Sequence, residues 1–247
     1  MSKRIRMFGG PNGSGKSSLV RDLVNDSFLN IYRFINADEI EKILSDKHFI
    51  NLEDYGVKTD TRTFHDFISQ SGFLQKADFK SHNLLTFDAN IVVIDSNQNK
   101  LNSYLAAALA DFIRERLIAQ GDNFSFETVM SHKSKVEILQ KAQKKGYRTY
   151  LYFVSTINPD INIKRVKFRV SQGGHHVSED KIISRYTNSL NLLTDAIKAS
   201  NRAYLFDNSL GGHELIAEIT DGKDVQLFTK NVPEWYVKFV ENKLFKF

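Results

Sequence analysis

One short segment constrains this chain more than any other. Gly10-Pro11-Asn12-Gly13-Ser14-Gly15-Lys16-Ser17 fits the pattern G-x-x-x-x-G-K-[ST] at every position. The flanks agree with it. RIRMF at 4–8 has the composition of a strand, and 16–26 sets Leu19, Val20 and Leu23 on one helical face. A strand that turns through glycines into a helix gathers backbone N–H groups at one point and aims the positive end of the helix dipole there. Such a loop holds phosphate. The pattern assigns Lys16 to the β- and γ-phosphates of a nucleotide and the Ser17 hydroxyl to Mg²⁺, with Gly10, Pro11, Asn12, Gly13, Ser14 and Gly15 forming the cradle. ATP and Mg²⁺ are therefore the expected cofactors.

The rest of the chain supports an α/β P-loop NTPase/kinase fold, a parallel sheet flanked by helices. YRFIN at 32–36, FSFETV at 124–129, RTYLYFVS at 148–155 and RAYLF at 202–206 read as strands. The near-continuous apolar run at 148–155 is that of a buried parallel strand. Segments 38–46, 132–145, 159–171 and 179–200 read as helices, with Gly146 a natural stop and Gly173-Gly174 a break between the last two. A hairpin of 215–219 with 225–229, around Asp221-Gly222, and an amphipathic helix at 234–245 complete the pattern. Strands alternating with helices imply one domain over 1–247. The stretch at about 47–100 breaks the rhythm and is read as an insertion carrying its own strand or hairpin, marked by Ile91-Val92-Val93-Ile94.

Composition narrows the class. The chain has 247 residues, no cysteine, and 34 Lys plus Arg against 29 Asp plus Glu. Thiol catalysis and cysteine zinc sites are excluded. The modest basic excess suits a phosphate-binding enzyme, and no lysine-rich tail or basic-aromatic stripe favours nucleic acid. The N-terminus does not resemble a signal peptide, and no apolar run approaches the ~18 residues of a membrane span. The expectation is a cytoplasmic protein with no membrane partner.

A phosphate loop specifies a nucleotide and leaves the reaction open, so the carboxylates matter. Asp38 follows the strand at 32–36, where parallel strands end at the ligand crevice. It is placed to take a proton from an acceptor hydroxyl as general base, or to cap the helix that follows. Glu127, at the end of the 124–129 strand, could bind the acceptor or reach the metal through water, and Thr128 could hydrogen-bond either. Asp95, after four apolar residues, is a competing metal carboxylate that would make the protein an ABC-like ATPase or nucleotide switch. No LSGGQ-type segment accompanies it. Lys164, Arg165, Lys167 and Arg169 crowd one helix before Gly173-Gly174, and Arg185 lies in the next. Phosphoryl transfer needs cations on the moving group, often on a mobile lid; about 165–186 is the expected lid region. The adjacent His175 and His176 have poor metal-ligand spacing.

Together these segments resemble the zeta-toxin-like P-loop kinases. GPNGSGKSS (10–18), FINAD (34–38), FSFETVMS (124–131), RVKFRVSQGGHHV (165–177), ISRYTNSLNLL (183–193) and FDNS (206–209) carry the likeness. It implies an adenylate-kinase-like fold, ATP, an acceptor such as a UDP-linked N-acetyl amino sugar, action as a toxin, and an antitoxin partner. It also implies that Lys16 and Ser17 bind phosphate and metal, that Asp38 is the base, and that Glu127 and Thr128 line the acceptor site; Ser18, next in the loop segment, is read with the cofactor-binding residues. Arg165, Arg169 and Arg185 become the phosphate-clamping arginines. A kinase for nucleic-acid 5′-hydroxyls is a further alternative, motivated by the pI of about 9.2.

Overall fold

A computed structural model of the chain describes residues 2–25, 29–72, 74, 85–94, 103–174 and 176–245. In chain order the strands are β1 (Arg4–Gly9), β2 (Arg33–Ile35), β3 (Phe49–Asn51), β4 (Leu85–Asp88), β5 (Ile91–Ile94), β6 (Phe124–Thr128), β7 (Arg148–Ser155), β8 (Arg202–Asp207), β9 (Glu214–Thr220) and β10 (Asp224–Leu227). The helices are α1 (Lys16–Asn25), α2 (Ala37–Lys47), α3 (Thr61–Gln70), α4 (Ser103–Gln120), α5 (Ser134–Lys144), α6 (Pro159–Ser171), α7 (Glu179–Asn191) and α8 (Leu193–Lys198). A closing helical run is α over Glu234–Tyr236, π over Val237–Glu241 and α again over Asn242–Leu244. The chain forms two compact units, Met1–Ile31 with Ser125–Phe247 and Tyr32–Phe124.

In the first unit the sheet runs β10-β9-β8-β7-β1-β6. β1, β7 and β8 are parallel, and β9 and β10 continue the sheet antiparallel as the C-terminal hairpin. β7 lies between two neighbours with both faces covered, which is why its sequence is apolar almost throughout and its last five residues are all buried. Phe8, Tyr152 and Tyr204 stack across the three parallel strands, with ring centroids 4.9 and 5.0 Å apart, the spacing of neighbouring strands. The parallel register puts Gly9 opposite Phe153 and Ser155 opposite Asp207, so the carboxyl ends of these strands lie together. The closing helical run is fastened there: Trp235 Nε1 donates to Asp207 Oδ2 at 2.7 Å, and its ring sits 6.2 Å from Phe153.

The second unit has its own small sheet, β3-β5-β4, antiparallel throughout. Its core is aromatic: Phe64 stacks on Phe87 at 4.8 Å and meets Phe112 edge-on at 5.3 Å. This topology removes the ATPase alternative built on Ile91–Ile94. A metal-carboxylate strand of that kind runs within the parallel sheet that bears the phosphate loop, whereas β5 is antiparallel to both its partners in the small sheet. Asp95 itself lies outside the described residues, as does His175.

Two helical readings are revised. The segment 179–200 is two helices, broken at Leu192 between α7 and α8. α2 begins at Ala37, and its cap is Asn36, whose side chain accepts from the Asp38 N–H. Asp38 is therefore not the cap; it is an exposed carboxylate in the first turn, where the helix dipole favours it. Among the described residues, no helix is long and apolar enough to cross a membrane.

Burial pushes the phenols of Tyr152 and Tyr186 up to about 12. A hydroxyl whose folded pKa is raised binds its proton more tightly in the folded state. The stability it contributes is complete below the unfolded value near 10 and is lost as pH rises through 12. The melting temperature is expected to fall across that window. Tyr186→Phe, with no hydroxyl to ionise, should melt lower at neutral pH and lose less between pH 10 and 12. A wild-type melting curve flat over that interval would contradict this.

Candidate active site

The site is built at the carboxyl ends of β1, β7 and β8, from the loop between β1 and α1. The loop turns through positive φ at Gly13 (75°) and Gly15 (101°). Neither position has room for a side chain: a Cβ would stand 2.6 Å from the Asn162 carbonyl oxygen at Gly13 and 2.1 Å from Asn208 Nδ2 at Gly15. These glycines are needed both for conformation and for close approach.

Lys16 and Ser17 meet on one carboxylate. The Ser17 hydroxyl donates to Glu127 Oε2 at 2.8 Å, and Lys16 Nζ lies 3.9 Å from Glu127 Oε1. The ammonium also donates to the Pro11 carbonyl at 2.9 Å, so it arches over the loop it belongs to. Lys16 is buried while Ser17 is exposed. β6 neighbours β1, and its end delivers Glu127 beside the start of α1. The carboxylate next to Ser17 is thus Glu127. Thr128 follows it, half-buried, its hydroxyl accepting from the Met130 N–H at 3.3 Å.

Helix α7 ties this region together. Arg185 Nη1 donates to Asn12 Oδ1 at 3.2 Å, the Tyr186 hydroxyl donates to the Thr156 carbonyl at 2.6 Å, and the Ser189 hydroxyl donates to the Val129 carbonyl at 2.9 Å. One helix face therefore grips the phosphate loop, the end of β7 and the segment after β6. α6 and α7 share a small apolar core of Ile163, Val166 and Ile182, flanked by Val170 and Val177. Arg165 on α6 is half-buried and carries a buried Nη1 with no hydrogen-bond partner among the described residues. Arg169 is exposed near the helix end, and Lys167 pairs at the surface with Glu179 at 2.6 Å. His176 is exposed. Asp38 belongs to the other unit.

Three side chains that sequence reasoning did not assign contact the loop from outside it. Asn162 Nδ2 donates to the Asn12 carbonyl at 2.6 Å, Asn208 Nδ2 to the Ser14 carbonyl at 2.8 Å, and His213 Nε2 lies 3.0 Å from the Gly15 carbonyl. The His213 ring is held by Asp22, whose Oδ2 is 3.1 Å from Nδ1. Asn162 is wholly buried in α6, and Thr156 hydrogen-bonds its Oδ1. The sequence shows only an asparagine set between Ile161 and Ile163; its burial, which marks it out, is a property of the fold.

Fold and loop together define a P-loop α/β fold. Residues 94–208 match the family model described as Zeta toxin, a match that begins after the phosphate loop and closes on Asn208. Over that stretch, a little under half of the chain, it is similar to the zeta-toxin family. A solved structure from the PezAT chromosomal toxin–antitoxin system of Streptococcus pneumoniae aligns with a TM-score of 0.52 at 12% identity, over 98% of this chain and 78% of that one. The AvrRxo1-ORF1:-ORF2 complex with ATP aligns with a TM-score of 0.55 at 13% identity, over 97% of this chain and 64% of that one. At such identities the likeness is one of fold. An uncharacterized protein of Haemophilus influenzae is 32% identical over 69 residues, which are 28% of this chain and 49% of the relative. The chain thus spans about half the length of the curated relative it matches.

Proposed function

We propose that this protein is an ATP- and Mg²⁺-dependent phosphotransferase that moves the γ-phosphoryl group to a hydroxyl of a small acceptor. The observation that carries the reading is the meeting of the Lys16 ammonium and the Ser17 hydroxyl on the Glu127 carboxylate at the start of α1. A hydroxyl and a carboxylate are hard oxygen donors of the kind Mg²⁺ takes, with phosphate oxygens and water completing its shell. Ser17 and Glu127 would hold the ion, and Lys16 would lie along the β- and γ-phosphates. When bound, Mg²⁺ neutralises phosphate charge and orients the chain for in-line transfer. Asp38 would accept the proton of the acceptor hydroxyl, Thr128 would line the acceptor side, and Arg185, Arg165 and Arg169 would stabilise the moving phosphoryl group.

The zeta-toxin match and the toxin–antitoxin system among the structural likenesses favour a UDP-N-acetyl amino sugar as acceptor, a toxin role, an antitoxin partner and a cytoplasmic setting. The deciding experiment is a transfer screen from γ-labelled ATP against UDP-sugars, nucleosides and oligonucleotide 5′-hydroxyls. Label on a UDP-sugar hydroxyl is the expected result. Label on oligonucleotides would replace that acceptor, and release of phosphate alone would point to an ATPase.

Glu127→Gln tests the metal assignment. The amide keeps the shape and loses the charge, so the Mg²⁺ concentration for half-maximal transfer should rise about 10–100-fold. An unchanged Mg²⁺ requirement, with a raised KM for the acceptor, would move Glu127 to the acceptor side.

A further inference from the structure

We infer that Asn162, Asn208 and His213 are positioning residues that aim the amides of the phosphate loop. The inference rests on the reading of residues 10–17 as a nucleotide site. Each peptide unit is planar, and the described chain contains no cis peptide bond. In a trans unit the carbonyl of one residue and the N–H of the next point in opposite directions. A side chain that holds a carbonyl therefore fixes the direction of the following N–H, away from itself. Asn162 holds the Asn12 carbonyl and so aims the Gly13 N–H. Asn208 holds the Ser14 carbonyl and aims the Gly15 N–H. With its proton on Nε2, His213 donates to the Gly15 carbonyl and aims the Lys16 N–H.

The Asn12 and Ser14 carbonyls are held from outside the loop, and the Gly15 carbonyl is shared between His213 and the Leu19 N–H of α1, 3.0 Å away. Glycines at 10, 13 and 15 leave its backbone with more conformational freedom than any other residue type would allow. Within the loop the recorded main-chain bond is a long one, from the Ser14 N–H to the Pro11 carbonyl at 3.3 Å. The anchors stand on firmer ground. Asn162 sits in α6, where Thr156 hydrogen-bonds its carboxamide oxygen. Asn208 follows β8, and its own N–H donates to the Ser155 carbonyl at 2.9 Å. His213 leads into β9, with Asp22 of α1 on its second nitrogen. Anchoring from three rigid elements prepays the ordering of the glycine loop, which would otherwise be charged against nucleotide affinity.

The test measures binding of the Mg²⁺ complex of a non-hydrolysable ATP analogue to the full chain by calorimetry, with thermal melting of each variant alongside. Asn208→Asp keeps the shape and turns a donor towards the Ser14 carbonyl into an acceptor; it should weaken the analogue about tenfold or more. His213→Leu should do the same. His213→Gln can present an amide nitrogen close to the Nε2 position and should restore most of the affinity. That rescue is the readout a merely structural role would not move. Equal affinity in wild type and in folded Asn208→Asp and His213→Leu overturns the inference. So does a His213→Gln that melts like the wild type yet binds no better than His213→Leu. If Asn208→Asp does not fold, the two His213 variants decide alone. A wild-type chain that binds no analogue sinks the nucleotide reading itself, a different result from variants that bind as the wild type does.

Discussion

Arg185→Ala should lower kcat for phosphoryl transfer by about 10³–10⁵-fold, the range found for arginines that neutralise a moving phosphoryl group. Three observations single out Arg185 for this role. It is half-buried, so its charge is less screened than that of exposed Arg169. Its guanidinium already touches the loop through Asn12 Oδ1, 3.2 Å away. Its neighbours Tyr186 and Ser189 lash α7 to the strand ends, so the group is delivered by a fixed helix face. Arg185→Lys should recover only part of the loss, because an ammonium lacks the planar fork that spans two oxygens. Single-turnover transfer from γ-labelled ATP, to the acceptor found by the screen, measures the effect. If Arg185→Ala keeps the wild-type kcat and raises only the KM for ATP, Arg185 is a strut for Asn12, and the charge must come from Arg165 or Arg169.

Asp38→Asn should lower transfer by about 10²–10⁴-fold while leaving nucleotide affinity as it was, the usual range for loss of a general base. The local structure frees Asp38 for this work. The task of capping α2 falls to Asn36, and the Asp38 carboxylate is exposed in the first helical turn. The amide is nearly isosteric but takes no proton. A variant with wild-type transfer, or one that loses nucleotide binding in step with activity, would remove Asp38 from the role of base.

The parts of the fold governed by local rules were legible in the sequence. β7 and α6 were read to the residue, because the first is a continuous apolar run and the second starts at Asn158-Pro159 and stops before glycines. α4 passed unread. Leu105, Ala106, Ala108, Leu109, Ala110, Phe112 and Ile113 are all buried, so the helix has no polar face to give it a period. The site divided in the same way. The loop residues were legible because they are contiguous. Glu127 was picked out, yet its adjacency to Ser17 spans 110 positions and follows from strand order alone. Asn208 lay within a quoted segment, FDNS, without a role, and His213 lay beyond it. No local rule links a residue to a carbonyl nearly two hundred positions away.

That distance has a consequence for synthesis. The glycine loop leaves the ribosome well ahead of its outer contacts, which come from Asn162, Asn208 and His213 at separations of 150, 194 and 198 residues. At ~5–20 residues per second, translation needs on the order of ten seconds or more to deliver them. Until residue 155 is made β1 and α1 lack β7, and until residue 207 they lack β8. The fully braced glycine loop is thus a late product of folding, finished only after His213 is made rather than when its motif appears.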